Sequence, residues 1–394
     1  MLTNRARFWV LISFIMISGF VQGMLLPLLA IILEQTGVSS SVNGLHATGL
    51  YIGVLVASPF MEKPLQKFGY KPLILFGGAM VFGALTLFPL WQNIWFWFVL
   101  RFIIGIGDHM LSFATQTWIT STTTQKNRGR TIAIYGLFFS LGFSLGPLMA
   151  QLVSLHEHMP FITAAFLCFG VWLIVWFVRN DYVTEDDTSI TVQLAATSTL
   201  GRFIKTTKIA WIALLAPFTY GILEALLHST FPIYGLRIGH GIGRISLIIS
   251  TFSVATLLTQ VPLGALSDRV GRDRVLPVVT GLGVIIFLLS AQFDTYFLGL
   301  TITFAIAGML LGSLFSMGVS YMADLLPRTL LPSGNIMCGI TFSIGSMIGP
   351  YLGGLIINYF PKLSFFYIIV VVLFIITFLF VIKKQHALIK EKNI

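Results

Sequence analysis

Charge is scarce in this chain: of its 394 residues only 10% are Asp, Glu, Lys or Arg. Ordinary soluble domains carry roughly 25%, so a water-soluble globular protein is excluded. Cysteine is scarcer still. Cys168 and Cys338 are the only two, too few for a disulfide framework and without metal-ligand spacing, so both are expected to act as small apolar residues. Also missing are a nucleotide-binding loop, a metal-ligand cluster, and a nucleophile with an orienting base in a recognisable motif. No enzyme, no ATP-driven pump, no cofactor and no metal is therefore expected. The alternating segments of about ten residues that mark a β-barrel are absent as well.

What the chain has is apolar length: 56% hydrophobic residues and a mean hydropathy of +0.90. Runs of the ~20 residues that span a bilayer lie near 8–33, 43–61, 72–90, 94–120, 131–153, 159–178, 209–233, 246–266, 275–293, 296–322, 332–359 and 363–382. The fold class is an all-α membrane protein with twelve transmembrane helices. The first run follows Arg5 and Arg7 and lacks the short h-region and small-residue cleavage site of a removed leader, so it reads as a retained helix.

The formal net charge of +10 suggests nucleic acid until its distribution is read. With the loops assigned alternately to the two sides, Arg5, Arg7, Lys63, Lys67, Lys71, Lys126, Arg128, Arg130 and nearly every later basic residue share one side. Only Arg237, Arg244 and Lys362 fall opposite. The positive-inside rule then places both termini in the cytoplasm, in a cell membrane, with no nucleic-acid partner. The longest polar interruption, 184–207, holds Glu185, Asp186 and Asp187. It reads as a solvated linker between an N-terminal six-helix bundle, 1–183, and a C-terminal one, 208–394.

The two halves repeat. "YGLFFSLGFSLGPLMA" from Tyr135 and "CGITFSIGSMIGPYLG" from Cys338 match at a shift of 203, which carries Gly136, Gly142, Gly146 and Pro147 onto Gly339, Gly345, Gly349 and Pro350. The same shift carries Gly105 onto Gly308, and a shift of 202 carries Gly69 onto Gly271. A 6+6 tandem repeat of this kind is the arrangement of one large class of secondary transporters.

Between the eighth and ninth spans stands "GALSDRVGRDR", in which Gly264, Asp268, Arg269, Gly271, Arg272 and Arg274 match Gly-x-Leu-x-Asp-Arg-x-Gly-Arg-x-Arg/Lys. The chain thereby resembles the major facilitator superfamily over essentially its whole length. By that resemblance the loop is a cytoplasmic gate, with Asp268 placed to accept hydrogen bonds from a neighbouring arginine. The first-half counterpart, "EKPLQKFGYKP", keeps Gly69, Lys67 and Lys71 but has Gln66 where the carboxylate belongs. In the fifth span "GFSLGP" resembles the Gly-x-x-x-Gly-Pro core of an antiporter motif. Small residues four apart allow backbones to pack closely, so Gly142, Gly146, Pro147, Gly345, Gly349 and Pro350 are candidates for packing and gating contacts. Tight packing alone is the alternative.

The resemblance also implies that spans one, four, seven and ten line a central cavity. In the fourth, "RFIIGIGDHML" places Arg101 and Asp108 seven residues apart, on one face with about 10 Å of rise between them. Intramembrane charges face a protein interior or water and serve ions, protons or substrates. Arg101 begins the family's Arg-x-x-x-Gly pattern, linked to proton transfer, with Gly105 at its end. An arginine cannot itself titrate, so Asp108 is the proton carrier and Arg101 tunes it or binds an anion. A fixed pair of Asp108 with Arg101 or with His109 is the structural alternative. In the seventh span Glu224 and His228, at i and i+4, share a helix face and form a second proton-coupling candidate. Gln22 and Tyr220 are further cavity candidates.

The expectation is a proton-coupled secondary transporter working by alternating access as a monomer in the bilayer. Its partners are protons and a small-molecule substrate, and the proton gradient is its energy source. Efflux antiport of an amphiphilic drug or an anionic metabolite is the leading reading. A proton symporter for metabolite uptake, or a lipid or glycolipid flippase on the same fold, is the alternative.

Overall fold

The computed structural model describes residues 4–123, 128–182 and 199–392; Lys126 and the acidic cluster Glu185, Asp186 and Asp187 lie outside them. Among the described residues there is helix and no strand. Each of the twelve apolar runs forms a long helix: α1 Asn4–Gln35, α2 Ser40–Ala57, α3 Tyr70–Leu87, α4 Ile94–Ser121, α5 Arg128–Leu145, α6 Met159–Val175, α7 Thr199–Ala225, α8 Ile242–Val270, α9 Arg272–Gln292, α10 Phe297–Leu311, α11 Leu331–Tyr359 and α12 Phe366–Lys392. Among the described residues ten helical segments are long and apolar enough to cross a membrane.

Local chemistry explains several boundaries. Asn93 caps α4, its side-chain oxygen accepting from the backbone N–H of Trp95 at 2.9 Å and of Phe96 at 3.1 Å, which satisfies two donors that a helix start leaves open. α5 gives way to a 3₁₀ stretch, Gly146–Ser154, where Pro147 has no N–H to offer the α-helical ladder. Helix α7 begins within the segment expected as linker. It then continues through a π-helical turn, Leu226–Thr230, into a short helix, Phe231–Arg237. After α10 the chain breaks at Gly312 and Ser313 and resumes as a helix over Leu314–Leu325.

The backbone repeats along with the sequence. Among the described residues only Gly37, Gly69, Gly239 and Gly271 have positive φ, at 79°, 81°, 94° and 101°. They form two pairs at the 202-residue shift. A side chain is strained in that region, so the turns after the first two helices of each half share one conformational requirement.

The chain divides into two compact units, 1–32 with 46–194, and 33–45 with 195–394. In the first, α1 meets α5 through glycines: a Cβ on Gly142 would collide with the Met16 carbonyl, and one on Gly146 with the backbone of Phe20 and Met24. Helices α2 and α4 meet where a Cβ on Gly105 would strike the Leu50 carbonyl. In the second unit the equivalent collisions are Gly345 with Phe218, Gly349 with Ile222 and Gly308 with Phe252. Without a strong hydrophobic drive between helices in lipid, such close backbone packing supplies the association energy. Gly136 and Gly339 have open space instead.

The first unit's core holds Leu11, Phe14, Ile74 and Trp118, with Tyr70 stacked on Trp118 at 5.4 Å. Exposed apolar side chains such as Phe76, Phe166 and Val261 cover the outside, as a lipid-facing surface requires. Trp91, Trp95, Tyr296 and Tyr359 are exposed at helix ends, where aromatic rings anchor a protein at the membrane interface.

Candidate functional site

In the first unit α4 presents both of its charges to α1, but to different places on it. Asp108 is 4% exposed and accepts hydrogen bonds from the Ser18 hydroxyl and the Gln22 amide. Arg101 is fully buried. Its Nη2 donates to the Leu25 carbonyl at 2.9 Å and its Nη1 to His46 Nδ1 at 2.9 Å. Ser18 to Leu25 on α1 thus runs opposite Asp108 to Arg101 on α4, as antiparallel neighbours must.

Neither fixed pair envisaged for Asp108 forms. Among the described residues no ion pair includes Asp108 or Arg101. Shared helix face did not mean contact, because almost two turns separate the residues and nearer partners on α1 and α2 satisfy each. His109 turns away to the Ser58 hydroxyl at 3.0 Å.

The second unit has a different carboxylate arrangement. Glu224 stands at the 202-residue counterpart of Gln22, while the counterpart of Asp108 is Leu311. Its partly exposed carboxylate has no hydrogen-bond or ion-pair partner among the described residues. His228 does not share its surroundings, contrary to the i, i+4 expectation. The π turn widens the helix there, and His228 is fully buried. Its Nδ1 donates to the Glu224 backbone carbonyl at 2.9 Å, and its Nε2 meets the Ser253 hydroxyl of α8 at 3.1 Å. π turns recur at functional positions. One turn before Glu224, Tyr220 stacks on Phe342 at 6.1 Å, and Phe342 meets Phe315 edge-on at 5.5 Å. All three rings are partly exposed.

At the loop between α8 and α9, Arg272 pairs with Asp268 and with Asp324. Gly264 has open space and Gly271 makes the positive-φ turn. Arg269 and Arg274 take no part in the ion pairs found among the described residues. In the first unit Asp181, after α6, pairs with Arg7 at 2.5 Å and accepts from Trp118 Nε1 at 3.0 Å. Within the second unit Glu34, at the end of α1, pairs with Arg237 at 2.7 Å.

Sequence reasoning passed over His46, Ser18, Asp181, Asp324 and Glu34. The 202-residue shift could have flagged His46, since its counterpart is the apolar Ile248.

Twin helical repeats with apolar exteriors define a multi-pass membrane protein. The sequence profile of the Major Facilitator Superfamily matches residues 11–244 and 229–393, and the chain belongs to that family. It is 46% identical over 371 residues to the MFS-type transporter YfkF of Bacillus subtilis (strain 168), covering 94% of this chain and 93% of YfkF. It is 24% identical over 371 residues to the MFS-type transporter YcaD of Shigella flexneri serotype 5b (strain 8401), covering 93% and 92%. Its fold is similar to that of the nucleoside transporter NupG in the crystal structure of a D323A mutant, with a TM-score of 0.79 at 15% identity, over 95% of this chain and 98% of that one.

Proposed function

We propose that this transporter is proton-coupled and exports cationic amphiphiles, with Asp108 and Glu224 as the proton carriers. The observation that carries the proposal is the state of the two carboxylates. Each lies within a membrane helix without a cation beside it among the described residues. Asp108 accepts from two neutral donors, and the Glu224 carboxylate has no hydrogen-bond or ion-pair partner among the described residues. Intramembrane carboxylates without a counter-charge serve as proton relays. Such a group exchanges its proton when water reaches it from one side or the other.

The substrate preference follows from what is left available. Arg101, the handle for an anionic metabolite, is fully buried and occupied by His46 and Leu25. Glu224 is partly exposed, one turn from the partly exposed rings of Tyr220, Phe342 and Phe315. A carboxylate beside aromatic faces suits a cation with an apolar body. The Gly142, Gly146 and Pro147 pattern favours antiport over symport. The basic residues gathered on one side favour cytoplasmic termini in a plasma membrane.

Binding is tested with purified protein and two radiolabelled probes, tetraphenylphosphonium and an aromatic carboxylate such as benzoate. Saturable binding of the cation that weakens about ten-fold in Glu224→Gln is expected. Preference for benzoate, or cation binding unchanged in Glu224→Gln, would overturn the substrate assignment.

A further inference from the structure

We infer that His46 is a proton-sensitive partner of Arg101, and that protonating it releases the junction of α1, α2 and α4. The inference deepens the proton-coupled reading and rests on it only for its physiological purpose.

Donor counting fixes the state of the ring. A guanidinium can only donate, so His46 Nδ1, 2.9 Å from Arg101 Nη1, is an acceptor. The Ile94 carbonyl can only accept, so His46 Nε2, 3.2 Å away, carries the hydrogen. Both nitrogens are committed and the ring is neutral. A second proton can go only to Nδ1, where it would point at an N–H of a fixed cation. Hydrogen bond becomes repulsion, and because arginine does not give up its proton at any accessible pH, the contact must open.

Little else would hold Arg101 in place. Its remaining bond is to the Leu25 carbonyl of α1, and its Nε is buried without a partner. The titratable groups facing this site are few: Arg101 from α4, and Tyr51 from α2, which is close enough to interact electrostatically with Arg101. Leu25 supplies only a carbonyl from α1, and Phe98 of α4 only a ring, 5.9 Å from that of His46.

The repeat serves as an internal control. At the second-half positions of His46, Arg101 and Leu25 stand Ile248, Phe304 and Leu227, all fully buried. Gly308 nevertheless meets the Phe252 carbonyl there as Gly105 meets that of Leu50. The helices pack equally closely without a polar pair, so packing does not require the pair. Its distinctive property is sensitivity to a proton. His46 lies six residues into α2, about 9 Å along the helix from its first residue, a short path for a proton from that end.

The test is hydrogen–deuterium exchange of the full-length protein in nanodiscs from pH 8 to pH 5, with rates corrected for intrinsic pH dependence. Wild-type amides around His46 and Arg101 are expected to exchange about ten-fold faster at pH 5 than at pH 8, the effect of losing one buried hydrogen bond. His46→Gln and His46→Asn, which cannot take the proton, should show no such rise, while His156→Gln, at an exposed histidine of the same unit, should keep it. A flat wild-type profile, an unchanged rise in the His46 variants, or its loss in His156→Gln would overturn the inference. Where a His46 variant fails to fold, ring-¹⁵N NMR of wild-type histidines decides. The Nε2-protonated signal of His46 should become doubly protonated in step with exchange, and a signal unchanged to pH 5 would contradict it. No transport is measured, so failure here leaves the proton-carrier assignment of Asp108 and Glu224 standing.

Discussion

Gly142→Ala and Gly136→Ala introduce the same methyl group six residues apart on α5, and the structure assigns them opposite effects. At Gly142 the new Cβ would overlap the Met16 carbonyl of α1, a backbone atom that cannot step aside; at Gly136 it meets nothing within 4 Å. Overpacking of this kind costs about 1–3 kcal/mol, whereas alanine in an open helix position gains up to about 1 kcal/mol over glycine. The propensity gain is common to both positions, so the two variants should differ by the overpacking cost, about 2 kcal/mol. At the few degrees per kcal/mol of a mid-sized domain, that is a gap of about 4–8 °C in melting temperature. The second unit supplies a replicate, since Gly345 meets the Phe218 carbonyl and Gly339 has open space. Thermal unfolding of the four detergent-purified variants by intrinsic fluorescence reads the gaps. If Gly142→Ala melts at or above Gly136→Ala, close backbone contact between α1 and α5 is refuted.

Other outcomes follow from the polar sites. Asp108→Leu should lower stability by about 1–3 kcal/mol, because an apolar side chain leaves the Ser18 hydroxyl and the Gln22 amide without their acceptor. Glu224→Gln, with no partner to lose, should melt within about 0.5 kcal/mol of wild type; thermal unfolding compares the pair. Asp181→Asn should destabilise more than Asp268→Asn. Asp181 also accepts from buried Trp118, while the Asp268 side chain is 59% exposed and such surface pairs contribute about 0–1 kcal/mol. Cys168 and Cys338 are buried, so maleimide labelling of the native protein should be slow and rise sharply at the melting transition.

Much of the architecture was readable because it is periodic. Hydropathy located twelve helices, and the 202- and 203-residue shifts carried both the glycine contacts and the positive-φ turns, since a backbone collision is decided by the residue that lacks a Cβ. The finer site was less legible. Reasoning along one helix grouped Arg101 with Asp108, yet each takes partners from other helices: His46 is 55 residues away and Ser18 is 90 away. The π turn at Leu226–Thr230 has no local signature, because it depends on how α7 packs around His228. Asp181 stands in the sequence at the edge of the polar interruption, and its role shows only where Arg7 and Trp118 converge on it.

The central claim is proton exchange at the two intramembrane carboxylates, and its most direct test is substrate-triggered proton movement in everted vesicles. Wild type, Asp108→Asn and Glu224→Gln would be compared at matched protein levels with a panel of lipophilic cations. Antiport predicts that a cation releases protons from acid-loaded wild-type vesicles and that either substitution abolishes the signal. Cation transport that persists unchanged in both variants would contradict the account and leave Asp108 and Glu224 as structural groups.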